Sequence, residues 1–199
     1  MIKVIVDTCF LSKFKKGTEI SPDFRTLIDE AGFELLVHPY TYENEMGITS
    51  RMRKNLEQNN CRVIEYTEFL SSDAFRKYYS GLFIEIYNEF YARLVSCDSI
   101  KADKMHRLEE ETDVFNIRFS GSSLGDVHII LLALFKNIPI ILSEDSDMSM
   151  IYSIAKTKIN SDSYQLKVYK IVDLVEYIKA KDGKTISNNE LKRIRRAYD

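Results

Sequence analysis

Apolar positions along the chain follow two periods, and the change from one to the other marks out the elements. In "MIKVIVDTCFL" the run Ile2 to Val6 is apolar and β-branched, which predicts a buried strand, and it stops on Asp7, just past the strand's carboxyl end. "SPDFRTLIDEAG" carries helix punctuation: Ser21 as N-cap, Pro22 at the first helical position and Gly32 just past the end. "FELLV" predicts a second short strand, ended by His38 and Pro39, and "YTYENEMGITSRMRKNL" places Ile48, Met52 and Leu56 on one helical stripe. "CRVIEY" predicts a third strand. From Thr67 to Ser96 aromatic residues recur at helical spacing, which predicts one or two helices with an aromatic core face.

"CDSIKADKMHRLEEETDVFNIRF" has sparse apolar residues and predicts a peripheral helix, with Glu109 to Glu111 facing solvent. "SGSSLGDVHIILLALFKN" predicts a helix opened by Ser122 or Ser123 and buried on most sides. "IPIILS" then reads as a fourth strand, "MSMIYSIAK" as a short helix, "QLKVYKI" as a fifth strand and "VDLVEYIKA" as a helix. The closing "SNNELKRIRRAYD" predicts a short helix, with Ser187 as N-cap and Glu190 at capping-box spacing. Short strands alternating with helices imply an α/β fold with a mainly parallel sheet of about five strands.

Bulk properties narrow the function classes. A chain of 199 residues suits one well-packed domain. The longest apolar stretch is interrupted by His128, Lys136 and Asn137, so no membrane span is expected. The opening residues lack the apolar core and cleavage site of a signal peptide, and the expected location is cytoplasmic. Cys9, Cys61 and Cys97 are odd in number and widely spaced, unlike a disulfide framework or a zinc knuckle. A net charge of -2 does not announce a nucleic-acid binder, but Lys192, Arg193, Arg195 and Arg196 gather near the end. Such a cluster either contacts phosphates or forms a solvated helix face that suits the helix dipole.

The acids are more informative. In a parallel α/β unit, strand carboxyl ends and helix amino ends share one edge of the sheet. Asp7 follows strand one, Glu43 and Glu45 follow strand two, Asp126 opens the helix before strand four, and Asp145 and Asp147 follow strand four. Each alone can be a cap: Asp7 for the turn that follows it, Asp126 through its spacing from Ser123, and Asp145 with Asp147 for the helix near Met148. Together they repel one another unless a cation or a shared proton compensates them. No lysine or arginine adjoins them in sequence, although one can arrive from elsewhere in the fold. Oxygen-only ligands suit magnesium or manganese rather than zinc.

Four blocks, "VIVDTCFL", an acid after strand two, "SSLGDVHIILLAL" and "ILSEDSDM", resemble in order the motif blocks of the PIN domain, whose members are mostly metal-dependent ribonucleases. The resemblance runs from Ile2 to about Ile178. It implies a three-layer α/β/α sandwich, with a single PIN-like domain over 1–180, a helical insertion over about 67–119 and a basic C-terminal tail over 181–199. It further implies divalent-metal-dependent hydrolysis of RNA, with metal-binding roles for Asp7, Asp126 and Asp145, Asp147 nearby, and Thr8 and the Ser143 hydroxyl supporting the site. In the second block it does not choose between the two glutamates. Helical geometry favours Glu45, which continues the stripe of Ile48 and Met52, while Glu43 points roughly 160° away. The long insertion is unlike the compact toxin-type members, and no inhibitory protein partner is indicated; the insertion can serve as a substrate wall, a dimer surface or extra core.

Other classes remain in view. A phosphatase using Asp7 as nucleophile would resemble the haloacid-dehalogenase group, which expects a second aspartate where this chain has Cys9. No Gly-rich turn follows strand one to bind a nucleotide. A non-catalytic PIN-like module binding RNA or protein would be marked by loss of the acids, which are retained. His38, His106 and His128 are scattered without the context of a general base, and His128 is expected to be packed or hydrogen-bonded. The expected partner is RNA, and whether the chain forms a homo-oligomer stays open.

Overall fold

The computed structural model describes residues 1–16, 19–46, 50–118, 123–159 and 164–198. Strand β1 (Ile2–Val6) leads into α1 (Thr8–Lys13), a short antiparallel pair formed by β2 (Lys15–Lys16) and β3 (Glu19–Ile20), and α2 (Pro22–Ala31). After β4 (Phe33–Val37) come α3 (Pro39–Asn44), α4 (Ser50–Gln58), β5 (Arg62–Val63) and a 3-10 turn (Tyr66–Glu68). α5 (Asp73–Cys97) and α6 (Ser99–Ala102) follow, then an irregular stretch that leads towards α7 (Leu124–Lys136). The chain closes with β6 (Ile140–Leu142), α8 (Asp147–Ile159), β7 (Lys167–Tyr169), α9 (Ile171–Ala180) and α10 (Asn188–Tyr198).

The main sheet has five strands in the order β5-β4-β1-β6-β7, and every pairing is parallel. The side chains of β1 alternate across it. Val4 and Val6 pack with Phe10, Phe24, Leu174 and Ile194 on one face, the layer of α1, α2, α4, α9 and α10. Ile5 faces the other way, towards Tyr87, Ile130 and Ile151 in the layer of α3, α5, α6, α7 and α8. The result is a three-layer α/β/α sandwich. The chain steps outward from β1 through β4 to β5, then returns to lay β6 on the other side of β1. That reversal makes the carboxyl edge between β1 and β6 a topological switch point, where open α/β sheets leave a crevice. Val6 pairs with Leu142 across it, so Asp7 and Ser143 emerge side by side.

Local chemistry accounts for the element ends. Ser21 accepts the Asp23 amide at 3.4 Å to cap α2, and Gly32 ends that helix in the left-handed region at φ 71, where a Cβ would be strained. On α5, Tyr79, Phe83, Tyr87 and Phe90 form a helical stripe that is wholly buried.

Four segments depart from the expectations. The helix expected over "YTYENEMGITSRMRKNL" is divided into α3 and α4; Ile48 lies outside the described residues, as does the side chain of Met52, while Leu56 is buried. The third strand is only Arg62–Val63. The stretch after Asp98 is helical only in α6 and is not peripheral. Met105, Leu108, Val114 and Phe115 are buried, and Asn88 satisfies the Leu108 backbone on both sides, donating to its carbonyl at 2.9 Å and accepting its amide at 2.8 Å. At Leu108 a side-chain amide thus takes the place of helical backbone partners. Finally, the segment expected as a basic tail packs onto the sheet's helical layer through α10: Leu191 and Ile194 are buried, and Tyr198 lies tilted against Phe14 with centroids 4.5 Å apart. Among the described residues no helix is long and apolar enough to cross a membrane.

Candidate active site

Asp7 occupies the N-cap position of α1, yet its side chain caps no amide. It is 4% exposed, and its carboxylate accepts from Ser143 Oγ at 2.8 Å, Cys9 Sγ at 2.7 Å and Thr8 Oγ1 at 3.2 Å. The expected capping role is replaced by a buried carboxylate held by three neutral donors. Ser143 in turn accepts the Asp145 amide at 3.0 Å, which joins the end of β1 to the loop after β6.

Thr8 also donates to Glu45 Oε2 at 2.6 Å, so one hydroxyl lies between the two acids. Glu45 is the C-cap residue of α3, beyond its last turn, so the helical stripe is not what places it. Its carboxylate lies directly over Gly125, where a Cβ would come within 1.8 Å of Oε1. The residue keeps an exposed flank, but its acid end is crowded. Burial pushes Glu45 up to about 7, against the bond from Thr8, and the charge of Asp7 adds to the rise. Glu43 is exposed on α3, and its charge acts on Tyr66.

Asp126 stands in the first turn of α7. Burial raises its carboxyl well above the usual range, and the charges of Asp7, Asp145 and Glu45 raise it further, opposed by a bond from Ser123. The capping box expected from Ser123 does not form: Ser123 sits at φ 50 and its side chain caps no amide. Asp145 Oδ1 accepts the Asp147 amide at 2.8 Å and so does serve the start of α8. Asp147, the first residue of α8, is buried and forms an ion pair with Lys101 of α6.

Sequence reasoning gave no site role to Cys9 or Lys101 and read Ser123 only as a helix cap. Cys9 was signalled only by lying two residues after Asp7. It donates to Asp7, accepts the Glu144 amide at 3.2 Å and touches Ser143 Oγ at 3.2 Å. Burial pushes its thiol up to about 12, and Asp7 adds to this, so Cys9 serves as a donor and not as a nucleophile. Lys101 gave no signal, because only the long α5 brings it back to this edge. Two of the histidines are engaged elsewhere: His128 is buried between the Tyr79 hydroxyl at 2.8 Å and the Val114 carbonyl at 2.9 Å, and His38 Nδ1 accepts the Tyr40 amide at 3.0 Å.

The basic residues of α10 lie on the layer that also holds α1. Arg193 pairs with Asp23 and Glu190, and Arg195 pairs with Glu176, none of these an acid of this edge, while Lys192 and Arg196 are exposed.

At the switch point, then, Asp7, Glu45 and Asp145 act electrostatically on Asp126, and Asp7 and Glu45 share the Thr8 hydroxyl. Among the described residues no three His, Cys, Asp or Glu side chains are drawn into a metal-ligating arrangement. The donor chemistry nonetheless fits a hard divalent cation: all oxygen, with a carboxyl on Asp126 that its neighbours' charges disfavour as an anion. Compared with protein-family models, characterised proteins and solved structures, the chain matches none.

Proposed function

We propose that this protein is a divalent-metal-dependent nuclease of PIN type that hydrolyses phosphodiester bonds in RNA. The observation that carries the reading is the convergence of Asp7, Glu45, Asp126 and Asp145 at the β1/β6 switch point with hydroxyl, thiol and amide donors between them. Like charges so placed disfavour one another's ionised forms, and a cation removes that penalty. The order of the four motif blocks supports RNA as the substrate.

Asp7, Asp126 and Asp145 would hold magnesium or manganese, with Glu45 at the rim. A bound ion would polarise the scissile phosphate and lower the pKa of the attacking water. The chain's part is to keep the acids in place. Ser143 and Cys9 fix one oxygen of Asp7, Thr8 ties Glu45 to it, and the bare backbone of Gly125 leaves room for the Glu45 carboxylate. No side-chain nucleophile is needed.

Asp7→Asn keeps the shape and removes the charge. The expected result is a folded protein that has lost most cleavage of an RNA panel in manganese, by about a hundredfold or more, the scale on which a misplaced reacting group costs rate. Equal cleavage in chelator, or full activity in Asp7→Asn, would overturn the metal mechanism.

A further inference from the structure

One acid at this edge differs from the rest. Asp7 is held by Thr8, Cys9 and Ser143, Glu45 by Thr8, Asp126 by Ser123 and Asp145 by a backbone amide, all of them uncharged donors. Asp147 instead meets a cation from its own chain. The Lys101 ammonium touches its Oδ2, and the two side chains are only 28% and 11% exposed.

Both partners are placed from behind. Asp98 caps α6 by accepting the Lys101 amide at 3.1 Å, and Ala102 and Met105 anchor this segment in the core. Asp147 is fixed by the bond from its amide to Asp145 and by a 3.4 Å contact from Ser123. The ammonium also lies within electrostatic reach of Asp145 and Asp126.

We infer that Lys101 stands in for a second metal ion: it neutralises Asp147 from within the chain, so the edge takes one divalent cation, held by Asp7, Asp126 and Asp145 with Glu45 beside them. This rests on the metal-dependent reading of the same acids. Two-ion phosphodiesterases space their ions by roughly 3.5–4 Å and share carboxylates between them. A lysine in contact with Asp147 occupies a carboxylate that a second ion would need, and its charge repels any ion approaching it. The helical insertion thereby contributes a charge to the site and is more than added core.

The test is the number of Mn2+ ions bound per chain, measured by electron paramagnetic resonance of free Mn2+ during titration with MnCl2 alone. Wild type and Lys101→Arg should each bind one ion. Lys101→Met should bind two, and Lys101→Met combined with Asp147→Asn should return to one, since the added ion uses Asp147. Two ions in the wild type, or a single ion in folded Lys101→Met, would overturn this inference and leave the metal-dependent reading standing. A wild type that binds no Mn2+ would overturn both, whereas loss of the single ion in Asp7→Asn supports both.

Discussion

Glu45 illustrates how a residue can be costly to the fold and still be kept at an edge of this kind. Its carboxyl rises from its ordinary 4.5 to about 7 because burial and the nearby Asp7 charge disfavour the anion. Below the ordinary value the acid is protonated in both folded and unfolded chains, and the stability that comes from the tighter proton is fully present. As pH rises through about 7 that contribution is lost, because the folded protein must then hold the anion. Glu45→Gln should therefore raise the melting temperature of metal-free protein at about pH 8 and lose that advantage near pH 4.5. The exposed flank of the residue screens the effect, so about 1 kcal/mol is expected, or about 2–4 °C. Melting curves in chelator at both pH values would check it, and a difference independent of pH would show that Glu45 is not strained as an anion. At this scale the legible residues were the acids themselves, since an aspartate ending an apolar run stands out. Cys9 and Lys101 did not stand out, because a thiol and a lysine take their meaning from what the fold sets against them.

Among the elements, α7 carries a glycine, Gly125, in its first turn for a reason that propensity opposes. Alanine is the better helix former, and Gly125→Ala should leave the fold intact or slightly more stable. It should nonetheless push the Glu45 carboxylate off the helix end, because the clash is with the mobile end of that side chain. The expected outcome is a loss of cleavage similar to that of Glu45→Gln, about a hundredfold where geometry is the cause. Unchanged activity in Gly125→Ala would mean that Glu45 is not needed where it lies. Glu45 was favoured from sequence by the stripe of an unbroken helix, but α3 ends at Asn44, and contact with Thr8 and Gly125 is what brings it in. The irregular stretch after α6 departs from the expected helix where Asn88 takes both backbone groups of Leu108, a pairing between elements that local periodicity does not reveal. For α10, Leu191 and Ile194 are core residues, so truncation after Gly183 would confound any binding assay. Lys192→Ala with Arg196→Ala is the cleaner variant. If these two residues contact phosphates, the slope of log affinity for single-stranded RNA against log salt should flatten by about 1.4, with cleavage at saturating RNA unchanged. An unaltered slope would leave α10 a structural role only.

At the scale of the whole molecule, alternation of strands and helices made a parallel sheet legible, but it does not by itself fix which strands are neighbours. The order β5-β4-β1-β6-β7 puts the reversal beside β1, and that placement joins the acid after β1 to the serine after β6. The same crowding makes the metal-free fold carry a cost at its carboxyl edge, since Asp126 is disfavoured as an anion by burial and, further, by three other acids. A cation that binds the folded chain and not the unfolded one must then stabilise the fold by mass action. Manganese at a hundred times its dissociation constant should add about 2.7 kcal/mol, which corresponds to a melting temperature higher by about 5–10 °C for a chain of this size. Chelator should reverse the shift. Asp7→Asn should abolish it, and sodium chloride at matched ionic strength should not reproduce it, because screening acts on exposed charges far more than on buried ones. Differential scanning calorimetry of the wild type and Asp7→Asn, each with and without Mn2+, would read all of these at once. An equal shift in both proteins would place the ion somewhere other than the β1/β6 edge.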